Sequence, residues 1–133
     1  MAKITKEQAE IEITQWLDEK KVFEETRETF RQHIGVLNEA MVNGVLLINE
    51  NGLFEHTLLF PMGEGQNALT KLTYRKRISD SETLPYMKGV KSDDGDRRVN
   101  ALLAALTDST NRIIEKLESG DKRIASAIGV FFM

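Results

Sequence analysis

The chain has 133 residues, 41% of them hydrophobic and 29% charged, with 18 basic against 21 acidic side chains for a net charge of −3. That size suits one hydrophobic core, the composition excludes a disordered chain, and the charge offers no electrostatic reason to expect nucleic acid or an anionic membrane as partner. The absence of cysteine excludes disulfides, thiolate metal sites and cysteine nucleophiles, and is compatible with a reducing compartment, so the cytoplasm is the expected location.

Met1 to Glu12 mixes charged and single apolar residues, which is not the pattern of a signal peptide, and no apolar run approaches the ~18 residues of a membrane span. Thr5-Lys6-Glu7-Gln8 has the form of a capping box, with the threonine oxygen accepting from an early helical amide and the glutamine reaching back to the cap. A helix is expected to follow. Ala9, Ile13, Trp16 and Leu17 continue it at helical spacing. After a Lys20-Lys21-Val22 junction, Phe23, Phe30, Ile34, Leu37 and Met41 predict a second helix of about five turns with one narrow apolar stripe. Residues 6–43 are therefore read as helical, as one bent helix or as a hairpin, and Asn43-Gly44 as the stop.

Residues 45–76 change to strand texture. Val45 to Ile48 and Leu53 to Phe60 flank Glu50-Asn51-Gly52, the strongest short hairpin signal, and Pro61 is expected to end the second strand. Gly63-Glu64-Gly65 reads as a turn. Leu69 to Lys76 reads as a third strand, giving a small antiparallel sheet. The polar stretch 79–96, with Pro85, Gly89 and Asp93-Asp94-Gly95-Asp96, is expected to be a mobile linker or long loop. Residues 97–133 carry three short amphipathic helices, with caps at Asp94 or Asp96, at Ser109, and at Ser119 or Asp121. The expected class is α+β in one domain over 1–133: an N-terminal helical segment, a sheet with a hairpin, and a C-terminal cluster of three helices.

The chemistry is sparse. The two histidines, His33 and His56, are expected to have structural roles, since an isolated imidazole is commonly a partly buried polar group. The aspartate cluster lacks the alternating ligands of a calcium loop, and Ala104 and Ala105 stand where its glutamate would fall, so it reads as a loop and helix cap. Gly63-Glu64-Gly65 lacks the third glycine and the strand-to-helix setting of a nucleotide fingerprint. Arg75-Lys76-Arg77 reads as a solvated strand edge. No nucleophile elbow, phosphate-binding lysine or metal cluster is recognisable, so no enzyme activity and no cofactor are expected.

Ile128-Gly129-Val130-Phe131-Phe132-Met133 is unusually apolar for a terminal segment. It is either tucked into the core or presented to another subunit. The candidate protein-binding residues are accordingly Phe30, Ile34, Leu37 and Met41 on the helical stripe, and Ile128, Phe131 and Phe132 at the end.

From about residue 53 to 133 the order of features resembles the tail assembly chaperones of long-tailed bacteriophages, in particular the Mu-like tail assembly proteins. The likeness rests on Leu58-Leu59-Phe60-Pro61, the strand Leu69 to Lys76, the helix Leu102 to Thr107, Ile113-Ile114-Glu115-Lys116-Leu117, Gly120-Asp121, and the closing Ile128 to Phe132. Residues 6–43 lie outside it. The resemblance implies a non-enzymatic protein in the host cytoplasm that binds the tape-measure protein and tail-tube subunits, with a homo-oligomer among the assemblies it allows. Two other interaction roles fit the same residues: a tail or head-tail connector subunit, and a small regulatory or anti-defence protein that binds a host factor.

Overall fold

The structure, a computed structural model, describes residues 3–133. Met1 and Ala2, the start of the polar amino-terminal stretch, lie outside the described residues. The elements run α1 (Lys6–Glu19), α2 (Glu24–Thr29), α3 (Arg31–Val42), β1 (Leu46–Ile48), β2 (Phe54–Met62), β3 (Leu69–Thr73), α4 (Asp80–Thr83), α5 (Gly95–Leu106), α6 (Asn111–Glu115) and α7 (Ser119–Gly129). Short 3₁₀ turns cover Gly65–Asn67, Leu84–Tyr86 and Val130–Phe132. The class is α+β, with helices on both sides of the sheet in sequence. None of the described helices is long and apolar enough to cross a membrane.

Thr5 caps α1 by accepting from the Gln8 amide at 3.1 Å, but the Gln8 side chain bonds forward to Glu12 at 3.2 Å, so only half of the expected capping box forms. The helix ends with Val22 N–H bonding back to Leu17 O and Lys21 N–H to Asp18 O, both at 3.0 Å. This is a Schellman closure with a lysine in the left-handed position, at φ 61°. The end of α3 closes the same way through Gly44 at φ 78°, the residue type that this geometry favours.

The predicted five-turn second helix is broken at Phe30, whose backbone leaves the helical region at φ −104°, ψ 27°. Packing explains the break. The Glu24–Thr29 turn buries no side chain, and Arg27 ties it back to Asp18 at 2.8 Å and to Val22 O at 3.0 Å. Only α3 is aligned by the core, so α1 and α3 form the hairpin alternative.

The sheet has the order β1-β2-β3, all antiparallel. Leu46, His56 and Leu72 share one register row, and Leu47, Glu55 and Thr73 the next. The first row faces inward with Phe54, Leu58 and Tyr74, while the second lies on the outer face. Asn49 Oδ1 shapes the hairpin by accepting from the Asn51 and Leu53 amides. Pro61 does not end β2. The β2–β3 register slips between Thr57 and Met62, and a proline is tolerated within such a bulge because no ladder bond is required of it.

The 79–96 segment is more ordered than expected. Ser79 and Glu82 form a full capping box for α4, and Asp94 caps α5 by accepting from the Arg97 amide at 3.1 Å. Thr110, not Ser109, caps α6. The Arg75-Lys76-Arg77 run is not simply a solvated edge: Arg75 pairs with Glu82 and Asp108, and Lys76 pairs with Glu19 at 3.1 Å.

The core is one continuous cluster drawn from α1, α3, the inner sheet face, α5, α6, α7 and the final turn. Trp16 stands at its aromatic centre, 4.7 Å from the Phe54 ring and 6.1 Å from the Phe131 ring. Phe30 meets Phe131 edge-on at 5.7 Å. Truncating Phe131→Ala is expected to destabilise the fold by about 3–5 kcal/mol, read from the urea unfolding midpoint. Lys21→Gly, which relieves the left-handed backbone, is expected to stabilise it by about 1 kcal/mol in the same assay.

Candidate protein-binding surface

The alternation of β2 sends His56 into the core between Phe54 and Leu58, where a polar ring requires partners. It finds two. Nε2 lies 2.9 Å from Asp121 Oδ1, and Nδ1 lies 3.0 Å from the Tyr74 hydroxyl. The Asp121 carboxylate also accepts from the Leu59 amide at 2.8 Å and the Phe60 amide at 3.1 Å. A carboxylate receiving three N–H groups sets the tautomer: Nε2 carries the proton and donates to Asp121, leaving Nδ1 to accept from the Tyr74 O–H.

His56 and Asp121 have no solvent exposure, and Tyr74 has 1%. Burial pushes the His56 pKa below the ordinary imidazole value, against the opposing hydrogen bond and charge of Asp121. The contact is therefore a hydrogen bond to a neutral ring and not an ion pair. Burial, and then the charge of Asp121, push the Tyr74 phenol upward. The three groups stand in linear order, closed off from solvent, and each satisfies a buried polar atom of its neighbour. His56, expected to be a partly buried polar group, is fully buried and bonded through both ring nitrogens. Asp121 is not the helix cap; Glu118 holds that position without a side-chain bond, and Asp121, one turn in, joins α7 to β2.

The predicted binding residues fall mostly inside. Leu37, Met41, Ile128 and Phe131 are buried, and Phe30 and Ile34 are half-buried against the core. The α3 stripe is covered by the chain's own α1 and α7. Of the two alternatives for the apolar end, Ile128 and Phe131 take the core. Phe132 remains half-open, with Lys20 Nζ 3.5 Å from its ring centroid. Burial, and then Arg77, push the Lys20 pKa down.

Two surface grooves carry apolar walls. One, of about 450 Å³, runs between the Ile78–Met87 segment and α5, and Phe132 forms part of it with Ile78, Met87, Val99 and Leu102. Asp80 and Arg98 supply its charged walls. The segment that builds one side was expected to be a loop, although Ser79-x-x-Glu82 is itself a capping-box signal. The second groove, of about 260 Å³, lies between α3 and α7, with Leu59 of β2 on its wall. Sequence periodicity missed this one, because Leu59 reads there as an ordinary strand residue. Among the described residues no group of three histidine or acidic side chains could hold a metal ion.

No protein-family model matches the chain, and neither a curated protein nor a solved structure is significantly similar to it.

Unfolded His56 takes up a proton near the ordinary value of about 6.5, whereas the buried ring resists it until lower pH. The unfolded state therefore binds more protons as pH falls from about 6.5, and stability declines over that range. His56→Gln is expected to flatten this segment of the stability–pH curve, measured by urea unfolding between pH 7.5 and pH 5, a window of about one unit or more on each side of 6.5. Asp121→Asn, which turns one acceptor into a donor facing an N–H, is expected to cost about 2–4 kcal/mol at pH 7.

Proposed function

We propose that the chain is a non-enzymatic tail assembly chaperone that holds an amphipathic helix of its partner, the tape-measure protein, in the groove between the Ile78–Met87 segment and α5. The observation that carries this reading is the groove itself: an open apolar trough that includes Phe132, one of the residues singled out in the sequence. Two methionines, Met87 and Met133, line it, and the flexible thioether suits a surface that must accept helices of varied sequence. A tape measure is a long helical polymer with exposed apolar stripes. Covering such stripes by helix-in-groove packing requires no cofactor. The resemblance over residues 53–133 includes α5 and the closing segment with Phe132, both of which supply walls of this trough opposite the Ile78–Met87 segment.

Asp80 and Arg98, of opposite sign within one groove, would orient the bound helix and add little net affinity. Co-expression with the tape-measure protein of the same phage is expected to yield a complex that survives gel filtration. Val99→Asp, which places a charge on the half-buried groove wall, is expected to weaken that complex about tenfold or more, measured by calorimetry with a tape-measure helix. Retention of full affinity by a folded Val99→Asp protein would locate the binding elsewhere.

A further inference from the structure

The groove of about 260 Å³ between α3 and α7 is continued along the same seam by a smaller recess of about 200 Å³. The recess is lined by Gln32, His33 and Val36 of α3 and by Arg123 and Ser126 of α7. Val36 and Arg123 line both cavities, so the two adjoin at that level of the seam.

Their chemistry differs. The recess presents hydrogen-bond donors: the Arg123 guanidinium, the Gln32 amide, the Ser126 hydroxyl and the His33 ring. Its lining among the described residues includes no carboxylate. Arg123 is exposed and takes part in no ion pair among the described residues. His33 Nδ1 is buried without a hydrogen-bond partner, a state that carries a desolvation cost until a partner meets it. With its proton on Nδ1 the ring donates to an anion in the recess. Phe30 holds that ring in place: it meets His33 edge-on with 5.5 Å between centroids, and it packs in turn against the buried Phe131.

The adjoining groove has aliphatic walls, from Val36, Ala40, Val45, Leu59 and Ile124. Besides Arg123, its polar side chains are Glu39 and Asn43, and Asn43 already donates to Glu39 O at 2.8 Å. Glu39 stands six residues beyond His33, about 9 Å of helix rise, so it bounds the aliphatic end and not the donor end.

A cavity that is cationic and donor-rich at one end and aliphatic at the other suits an amphipathic anion. A carboxylate matches the forked guanidinium and supplies an acceptor for His33 Nδ1. From His33 to Ala40 the helix rises roughly 10 Å, which calls for a tail of several carbons. A peptide would bring backbone amides to walls that offer little to bond them, whereas an alkyl chain carries none. Together the two cavities reach the size of small-ligand clefts, roughly 300–1,000 Å³.

We infer that the α3–α7 seam binds a small aliphatic carboxylate of the medium-chain fatty acid class, its head against Arg123, His33 and Ser126 and its tail along Val36, Ala40, Leu59 and Ile124. This site is separate from the trough proposed for the tape-measure helix, and its test uses the isolated chain, so either assignment can fail without the other.

Octanoate is the probe, titrated into the isolated chain below its micelle-forming concentration and followed by calorimetry and by the proton resonances of the His33 ring. The expected result is saturable one-to-one binding, about tenfold or more tighter than that of acetate, which lacks the tail, and of octanol, which lacks the charge. The His33 resonances are expected to shift as the site fills. Arg123→Gln and Leu59→Asp, both at exposed positions, are each expected to weaken binding about tenfold or more with the far-ultraviolet circular dichroism unchanged. Absence of saturable binding overturns the inference, as does acetate, octanol or octylamine binding as tightly as octanoate. So do indifference to either substitution, His33 resonances that stay in place, and tighter binding of an acetylated leucine dipeptide, which would assign the seam to a peptide carboxyl end.

Discussion

The carboxylate of Asp121 is the constraint on which the β2 end of the molecule depends. β1 has only three residues, and the ladder it offers β2 ends where Thr57 N–H meets Val45 O. Beyond that point the β3 register also slips, so the Leu59 and Phe60 amides lack regular strand partners. An unpaired donor at a buried position costs about 1–3 kcal/mol. Asp121 reaches from the first turn of α7 and accepts both, and its position near the helix amino terminus favours a negative group there. Because the same carboxylate also orients His56, the docking of α7, the imidazole tautomer and the path of β2 past its short neighbour are one coupled arrangement.

That arrangement decides which apolar side chains remain outside. With α7 held against β2, Ile124, Ile128 and the following Phe131 close over α3 and Trp16, so the apolar carboxyl-terminal segment becomes core. Leu59 and Phe60 receive no such cover and stay exposed where β2 runs past its short neighbour. The hydrophobic stripe of α3 is therefore covered within the chain itself. Two grooves with apolar walls, bounded by α7 and α5, remain open where elements distant in sequence leave a trough between them.

Several local features were legible because they depend on neighbours in sequence. The Thr5 cap, the Asn43-Gly44 stop, the Asn51-Gly52 hairpin and the alternating inward face of β2 all follow from side-chain chemistry and backbone preference within a few residues. The break at Phe30 was not legible, since the 30, 34, 37, 41 spacing continues smoothly through it and only the absence of burial on α2 interrupts the helix. Nor was the left-handed Lys21, where a lysine takes a position that usually calls for glycine because the following chain must turn back along α1. The Ser79–Glu82 capping box was present in the sequence and was masked by the polar composition around it.

The candidate site divides along the same line. Periodicity identified Phe30, Ile34, Leu37, Met41, Ile128 and Phe131 as apolar faces requiring cover, and it was right about the requirement, but an amphipathic pattern is the same whether the cover is another element of the chain or another protein. What the sequence determined by itself was the α+β class, the helices and strands apart from the break at Phe30 and from α4, and most of the side chains that must leave water. What only the tertiary structure decided was which of them cover one another: that Asp121, far along the chain, would complete β2 and pair with His56, and that Leu59, Phe60 and part of Phe132 would be left exposed. Hydrophobic burial is non-directional and roughly proportional to area, so it specifies that a face will be covered without specifying by what. Hydrogen bonds to a buried carboxylate are directional, and they settle the question only once the strands and helices are in place.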